Sequence, residues 1–207
     1  MTDKKCKVCR RVGEKLFLKG EKCFTPKCAM NNRAYAPGKL DSEKKHRSNP
    51  SEFGVQMKEK QKIKNIYGVS EKQFSTYAKN SEKNSSVSPS LSIYLSLESR
   101  LDNMVFRMGL AKSRSLSRQI VAHGHILVNG KKINVASHKV RIGDVISIRE
   151  GSKATKLFSD LQNKLKDYNA PSWITLDIIK GEAKVVSLPK EVESGFDFAK
   201  VLEFYNK

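Results

Sequence analysis

Residues 99–150 read SRLDNMVFRMGLAKSRSLSRQIVAHGHILVNGKKINVASHKVRIGDVISIRE. Leu101, Met104, Val105 and Met108 continue Leu97 at spacings of four, three, one and three, which is one face of a helix. The spacing predicts a helix opening at Pro89, tolerated in a first turn, and stopping at Gly109. Ser113 caps a shorter helix with Leu116 and Ile120 on one side, stopped at Gly124. In HILVNGKKI, the Asn129-Gly130 pair between two strand-like runs is the strongest short-range hairpin signal. Gly143-Asp144 predicts another turn, leading into the strand VISIR. The stretch therefore reads as helices packed on a small antiparallel sheet.

The same stretch carries cations at fixed places. On the helix after Ser113, Arg114 and Arg118 lie about 40° apart in projection, with Leu116 and Ile120 roughly opposite. One face can pack while the other presents two guanidiniums, whose planar fork suits phosphates and base edges. Lys131 and Lys132 follow the tight turn. His123 and His125 flank Gly124. No carboxylate lies near them in sequence, so they are expected as packing or partner-contact residues rather than acid–base groups.

Outward from this stretch, Leu157, Leu161, Leu165 and Tyr168 predict a helix over 152–168. Trp173–Ile179 and Ala183–Leu188, split by Lys180-Gly181-Glu182, read as a second hairpin. Upstream, 80–90 (NSEKNSSVSPS) is a linker by composition. A helix is predicted from Ser51 to Tyr67, ending at Gly68 and made basic on more than one face by Lys58, Lys60, Lys62 and Lys64. Another starts at Ser70, with Gln73 completing a capping-box signature and Phe74, Tyr77 and Ala78 as its apolar stripe. Residues 34–51 read as a basic loop holding Lys44, Lys45 and Arg47. That loop and the following lysine-rich helix suit the phosphate backbone of a nucleic acid with little sequence preference, since dense lysine comes with no aromatics interleaved for base stacking. Residues 1–33 show little periodicity and would need a cross-link to fold.

That cross-link is available. Cys6, Cys9, Cys23 and Cys28 form Cys-x2-Cys-x13-Cys-x4-Cys. Four thiolates suit a closed tetrahedral Zn²⁺ site. An iron–sulfur cluster takes the same ligand set, and free thiols or disulfides are the remaining reading. Four protein ligands leave no open position for a catalytic water, which argues against a catalytic zinc.

The formal net charge of +19 on 207 residues calls for a polyanionic partner. Residues 1–65 carry 18 Lys+Arg against 7 Asp+Glu, residues 66–170 carry 17 against 8, and residues 171–207 carry 5 against 6. The tail is thus expected to face something other than phosphate. No apolar run reaches the roughly 20 residues of a membrane span, and MTDKKCKVC lacks the apolar core of a signal peptide. A cytoplasmic protein is expected, with no membrane and no small-molecule substrate. No base-reading DNA helix with dimer logic is evident, and RNA is often recognised through shape, so structured RNA is the expected partner.

Leu97–Glu150 resembles the S-four RNA-binding module. Glu59–Phe74 (EKQKIKNIYGVSEKQF), Arg100–Arg107 (RLDNMVFR), Pro171-Ser172-Trp173 and the final VLEFYNK resemble the bacterial-type ribosomal protein S-four family, and the four cysteines resemble its metal-binding subset. One departure is that Pro37-Gly38 is followed by KLDSEKKHRSNPSEFG, without the family's Gln-His-Gly. The resemblance implies an α+β fold. A zinc knuckle and helical rRNA-binding domain would occupy 1–93, the S-four module 97–163, and a C-terminal segment 170–207 would pack back on the first domain. It further implies a structural role in the small ribosomal subunit, with early binding to small-subunit ribosomal RNA. Contact with ribosomal protein S-five and a place near the messenger entry path, affecting decoding accuracy, are also implied. The RNA-contact set expected is Lys44, Lys45, Arg47, Lys58, Lys62, Arg100, Arg107, Arg114, Arg118, His123, Lys131 and Lys132. An RNA-modifying enzyme such as a pseudouridine synthase can carry this module, but would need a further catalytic domain. A zinc-dependent nucleic-acid-binding regulator is the other competing reading.

Overall fold

Two serines start the helices that organise the N-terminal unit. In the computed structural model, the Ser51 hydroxyl accepts from Gly54 N and opens α3 (Glu52–Tyr67). Gly68 ends it at φ +65°, a left-handed cap where glycine carries no Cβ penalty. Ser70 accepts from Gln73 N and opens α4 (Glu71–Ser81). The residues described are 4–38, 49–83, 87–155, 157, 158, 161, 165, 168–177 and 180–206. They fall into two compact units, Met1–Leu91 with Glu193–Lys207, and Ser92–Val192.

In the first unit, residues with little sequence periodicity form α1 (Lys4–Val12), a 3-10 turn (Gly20–Cys23) and the short α2 (Ala29–Asn32). Cys9, Val12 and Leu16 make a small core there, against Val8, Leu18, Met30 and Ile66. The final helix, Phe198–Tyr205, is named α9 and packs along α3. A charged knot ties it in: Lys60 donates to Glu71 Oε1 (2.7 Å), Lys64 to Glu71 Oε2 (2.9 Å) and the Tyr205 hydroxyl to Glu71 Oε1 (2.8 Å). Lys60 also sits 4.0 Å from the Phe204 ring centroid.

The second unit differs from expectation at its first helix. Instead of one helix from Pro89 to Met108 there are two, α5 (Pro89–Glu98) and α6 (Leu101–Arg107). Arg100 is extended (ψ 139°) and bridges Lys139, while Leu101 N and Asp102 N donate to His138 O and Ala136 O. The incoming segment 136–139 thus satisfies N–H groups that a helix start leaves unpaired. α7 (Arg114–Ala122) packs on α6.

A five-stranded antiparallel sheet follows, in the order β2-β1-β3-β5-β4. Its strands are β1 (Ile126–Val128), β2 (Lys131–Lys132), β3 (Val145–Ile148), β4 (Ile174–Asp177) and β5 (Glu182–Val185), with the short α8 (Glu150–Lys153) after β3. β1 and β2 turn through Asn129 (φ +50°) and Gly130 (φ +76°), the positive-φ pair of a tight hairpin. The C-terminal segment divides. Its hairpin β4–β5 joins this sheet through β3, and only residues from Glu193 onward group with the first unit. The β4–β5 strands bury Ile174, Ala183 and Val185 with Leu101, Met104, Ile120 and Ile146 in one core, and the removal of that apolar surface from water holds the hairpin here. The helix expected over 152–168 is not continuous: α8 ends at Lys153 and residues 154, 155, 157 and 158 form turns or a bend, while eight residues of the span lie outside the described ones; Phe158, Leu161 and Leu165 are buried in the same core.

Candidate nucleic-acid interface

α7 is positioned by its own sequence. Ser113 caps it, Ile120 and Val121 are buried, and Arg118 is exposed on the far side. Arg114 is half-buried. Its Nε donates to Asn103 Oδ1 (2.8 Å) and its guanidinium lies 4.5 Å from the centroid of the Phe106 ring. α6 therefore holds Arg114 in place, whereas sequence geometry alone had both arginines projecting outward.

Lys131 and Lys132 are exposed on β2. Asn129 fixes the turn before them: its Nδ2 donates to Asp144 Oδ1 (2.8 Å) and its Oδ1 accepts from Val145 N (2.9 Å). The Lys132 stem crosses Gly124 so closely that a Cβ there would collide with it. Lys132 is thus brought to the C-terminal end of α7, where exposed His123 is the cap residue. Lys112, Lys139, Arg141 and Arg149 are exposed on the same unit. Sequence reasoning passed over them because they lie singly in turns and at element ends, where no periodicity marks them.

Three expected contact residues are structural instead. Arg100 is only 1% exposed, with Nε and Nη2 donating to the two oxygens of buried Asp102 (3.0 and 2.7 Å). Arg107 grips the fully buried Glu98 carboxylate through Nε and Nη2, both at 2.9 Å. Both guanidiniums face carboxylates that would otherwise be buried uncompensated, so neither reaches outward as an RNA contact. Lys62 bonds Glu14 (2.8 Å) and lies 3.6 Å from Glu59. Burial pulls its ammonium pKa down, but Glu14 and Glu59 outweigh that and raise it above the ordinary lysine value. Lys58 is exposed on α3. Lys44, Lys45 and Arg47 lie outside the described residues.

The four cysteines come from α1, the 3-10 turn and the residue before α2, and all line one cavity of about 20 Å³. That is about the room one water or ion needs. Burial first, and then the neighbouring thiols, raise the Cys9 pKa against a bond from the Leu16 backbone that lowers it. The donor chemistry and the cavity fit a metal. The side chains as they stand are not closed into a ligand set, because among the described residues no group of three or more His, Cys, Asp or Glu is placed to hold an ion.

Known proteins match the chain end to end. A family model described as the ribosomal protein S4/S9 N-terminal domain matches residues 1–98, and one described as the S4 domain matches residues 99–146. Small ribosomal subunit protein uS4 of Halothermothrix orenii is 44% identical over 204 residues, 98% of this chain and 96% of the relative. The uS4 of Clostridium tetani is 43% identical, and uS4A of Alkaliphilus oremlandii 42%, each over 208 residues, 100% of this chain and 98% of the relative. The chain belongs to the uS4 family. The boundary between the two uS4 family matches falls at the break between α5 and α6. The Arg100–Asp102 pair therefore lies at the start of the second match, and the Arg107–Glu98 pair spans the boundary.

Proposed function

We propose that this chain is a structural, RNA-binding component of the small ribosomal subunit, held in the cytoplasmic ribosome by small-subunit ribosomal RNA, and not an enzyme. The observation that carries the reading is identity above 40% along nearly the whole length of relatives named as small ribosomal subunit proteins. A net charge of +19 supports a polyanionic partner. As a primary binder it would nucleate assembly of the subunit body and contribute to translational accuracy.

Its RNA surface is proposed to comprise Arg118, His123, Lys131 and Lys132, with Arg114 held beside them by Asn103 and Phe106. Lys58 and the loop cations Lys44, Lys45 and Arg47 would add phosphate contacts. Cys6, Cys9, Cys23 and Cys28 are proposed to hold a structural Zn²⁺, which would fold the N-terminal segment around itself; an iron–sulfur cluster is the alternative for the same four thiolates. Ribosomal protein S-five and messenger RNA near its entry path are proposed neighbours. The test is sedimentation. The chain should travel with small ribosomal subunits through a moderate-salt wash; release into the supernatant by that wash would count against a structural role.

A further inference from the structure

Next to the cationic surface lies a cleft that backbone-phosphate binding does not require. Leu116, Gln119, Ile120 and His123 project from one face of α7, at the i, i+3, i+4, i+7 spacing, and line a cavity of about 310 Å³. His125, Thr155 and Leu157 close the other side. This volume is at the low end of small-ligand pockets, room for one nucleotide rather than a duplex. The walls are apolar at Leu116, Ile120 and Leu157, and the rim carries hydrogen-bonding groups at Gln119, His123, His125 and Thr155.

The rim is held in place. His125 Nδ1 shares a hydrogen bond with Ser152 Oγ (2.9 Å), and its ring meets buried Phe158 edge-on at 6.1 Å. That leaves Nε2 as the ring's other nitrogen. The Thr155 hydroxyl donates to Ser152 O (2.7 Å), which leaves its oxygen to accept. His123 stands 6.0 Å from His125, ring centre to ring centre. Between them Gly124 lets the Lys132 stem lie across the backbone, setting a cation at the cleft's edge.

We infer that this cleft receives one unpaired nucleobase of the bound RNA. The inference rests on the proposed RNA-binding reading and adds a base-reading site to it. The apolar walls take the face of the base, Gln119, His123 and Thr155 meet its edge, and Lys132 holds the phosphate beside it. Such a site reads an unstacked nucleotide, the form in which RNA exposes base edges. It differs from a phosphate contact in one measurable way: losing it lowers affinity without lowering the salt dependence.

The experiment uses the full chain and folded small-subunit ribosomal RNA, with affinity measured across a salt series and base reactivity to dimethyl sulfate and carbodiimide mapped along the RNA. Two variants are compared with the wild type. Leu157→Trp fills the cleft from its exposed rim, and Gln119→Ala with His123→Ala strips the polar edge. Each should lower affinity roughly 10- to 100-fold at unchanged salt slope, and each should expose to the reagents a base that the wild type protects. If wild type binds the RNA but both variants bind it equally well with the same protected bases, the cleft takes no base. A reduced salt slope would instead make His123 or its neighbours phosphate contacts, and would overturn the inference too. Failure of the wild type itself to bind would refute the RNA-binding reading rather than the cleft.

Discussion

Replacing Arg100 with methionine should unfold the second unit far below its normal transition while leaving RNA recognition unchanged wherever that unit remains folded. The guanidinium is buried and donates two hydrogen bonds to Asp102, which is itself 4% exposed. Removing it leaves the Asp102 carboxylate in the core with only the Asn103 backbone N–H (2.9 Å) as a remaining donor of those described. Breaking one side of such a pair costs about 3–5 kcal/mol, because a buried charge is left uncompensated. For a unit of this size each kcal/mol moves the midpoint by about 4–8 °C, so the fall should exceed about 10 °C. Trp173 is the chain's single tryptophan and lies in the core of the second unit, so its fluorescence reports that unit's unfolding alone. Arg100→Met combined with Asp102→Leu removes both charges and should recover more than half of the loss, since an apolar replacement of a buried pair is often near neutral. The reasoning fails if the Trp173 transition moves by less than about 1 kcal/mol. It fails equally if the folded variant shows a lower salt slope for RNA, which would make Arg100 a phosphate contact.

The Arg118→Ala and Lys131→Ala variants should each lower the salt slope of binding to small-subunit ribosomal RNA by about one, with the fold intact by circular dichroism. Cys9→Ser should reduce metal content below that of the wild type and loosen residues 4–33 in hydrogen exchange while the Trp173 transition stays put; a metal content under about half an ion per chain in wild type purified without chelator would remove the zinc proposal. Burial pushes the Glu71 carboxyl up, but bonds from Lys60, Lys64 and Tyr205 outweigh it and hold the pKa at about 2 against an ordinary 4.5. A depressed carboxylate stabilises the fold above its unfolded pKa and ceases to as pH falls from about 4.5 to about 2. Because Glu71 is about half exposed, solvent screening limits that loss to about 1 kcal/mol; Glu71→Gln should remove that pH dependence in acid titration of α3–α9 packing.

Local signals carried the fold where chemistry is local. Ser51, Ser70 and Ser113 cap the three helices that open after them, and Asn129-Gly130 makes the hairpin, because a cap or turn needs only residues a few positions apart. What the sequence hid is set by distant partners. Nothing in RLDNMVFR shows that segment 136–140 will pair with residues 99–102 and divide one apolar stripe into two helices. The same holds for charge. Arg107 and Lys62 read as surface cations because their carboxylates, Glu98 and Glu14, become partners only through folding, and for Arg100 it is the burial of the pair with nearby Asp102 that the fold sets. The α1 helix carried a legible signal that the lysines obscured, since Val8, Cys9 and Val12 recur at helical spacing. The cleft beside α7 is read from Leu116, Gln119, Ile120 and His123 only once Thr155 and Leu157 are known to face them.

The measurement that bears most directly on the account is equilibrium binding of the full chain, at one fixed salt concentration, to folded small-subunit ribosomal RNA, an unrelated folded RNA of equal length, and duplex DNA. The account predicts binding to the ribosomal RNA at least about 1,000-fold tighter than to the other two, since charge alone binds all three polyanions alike and only shape and base contacts separate them. Equal affinity for all three would contradict it, leaving a basic protein with no RNA of its own.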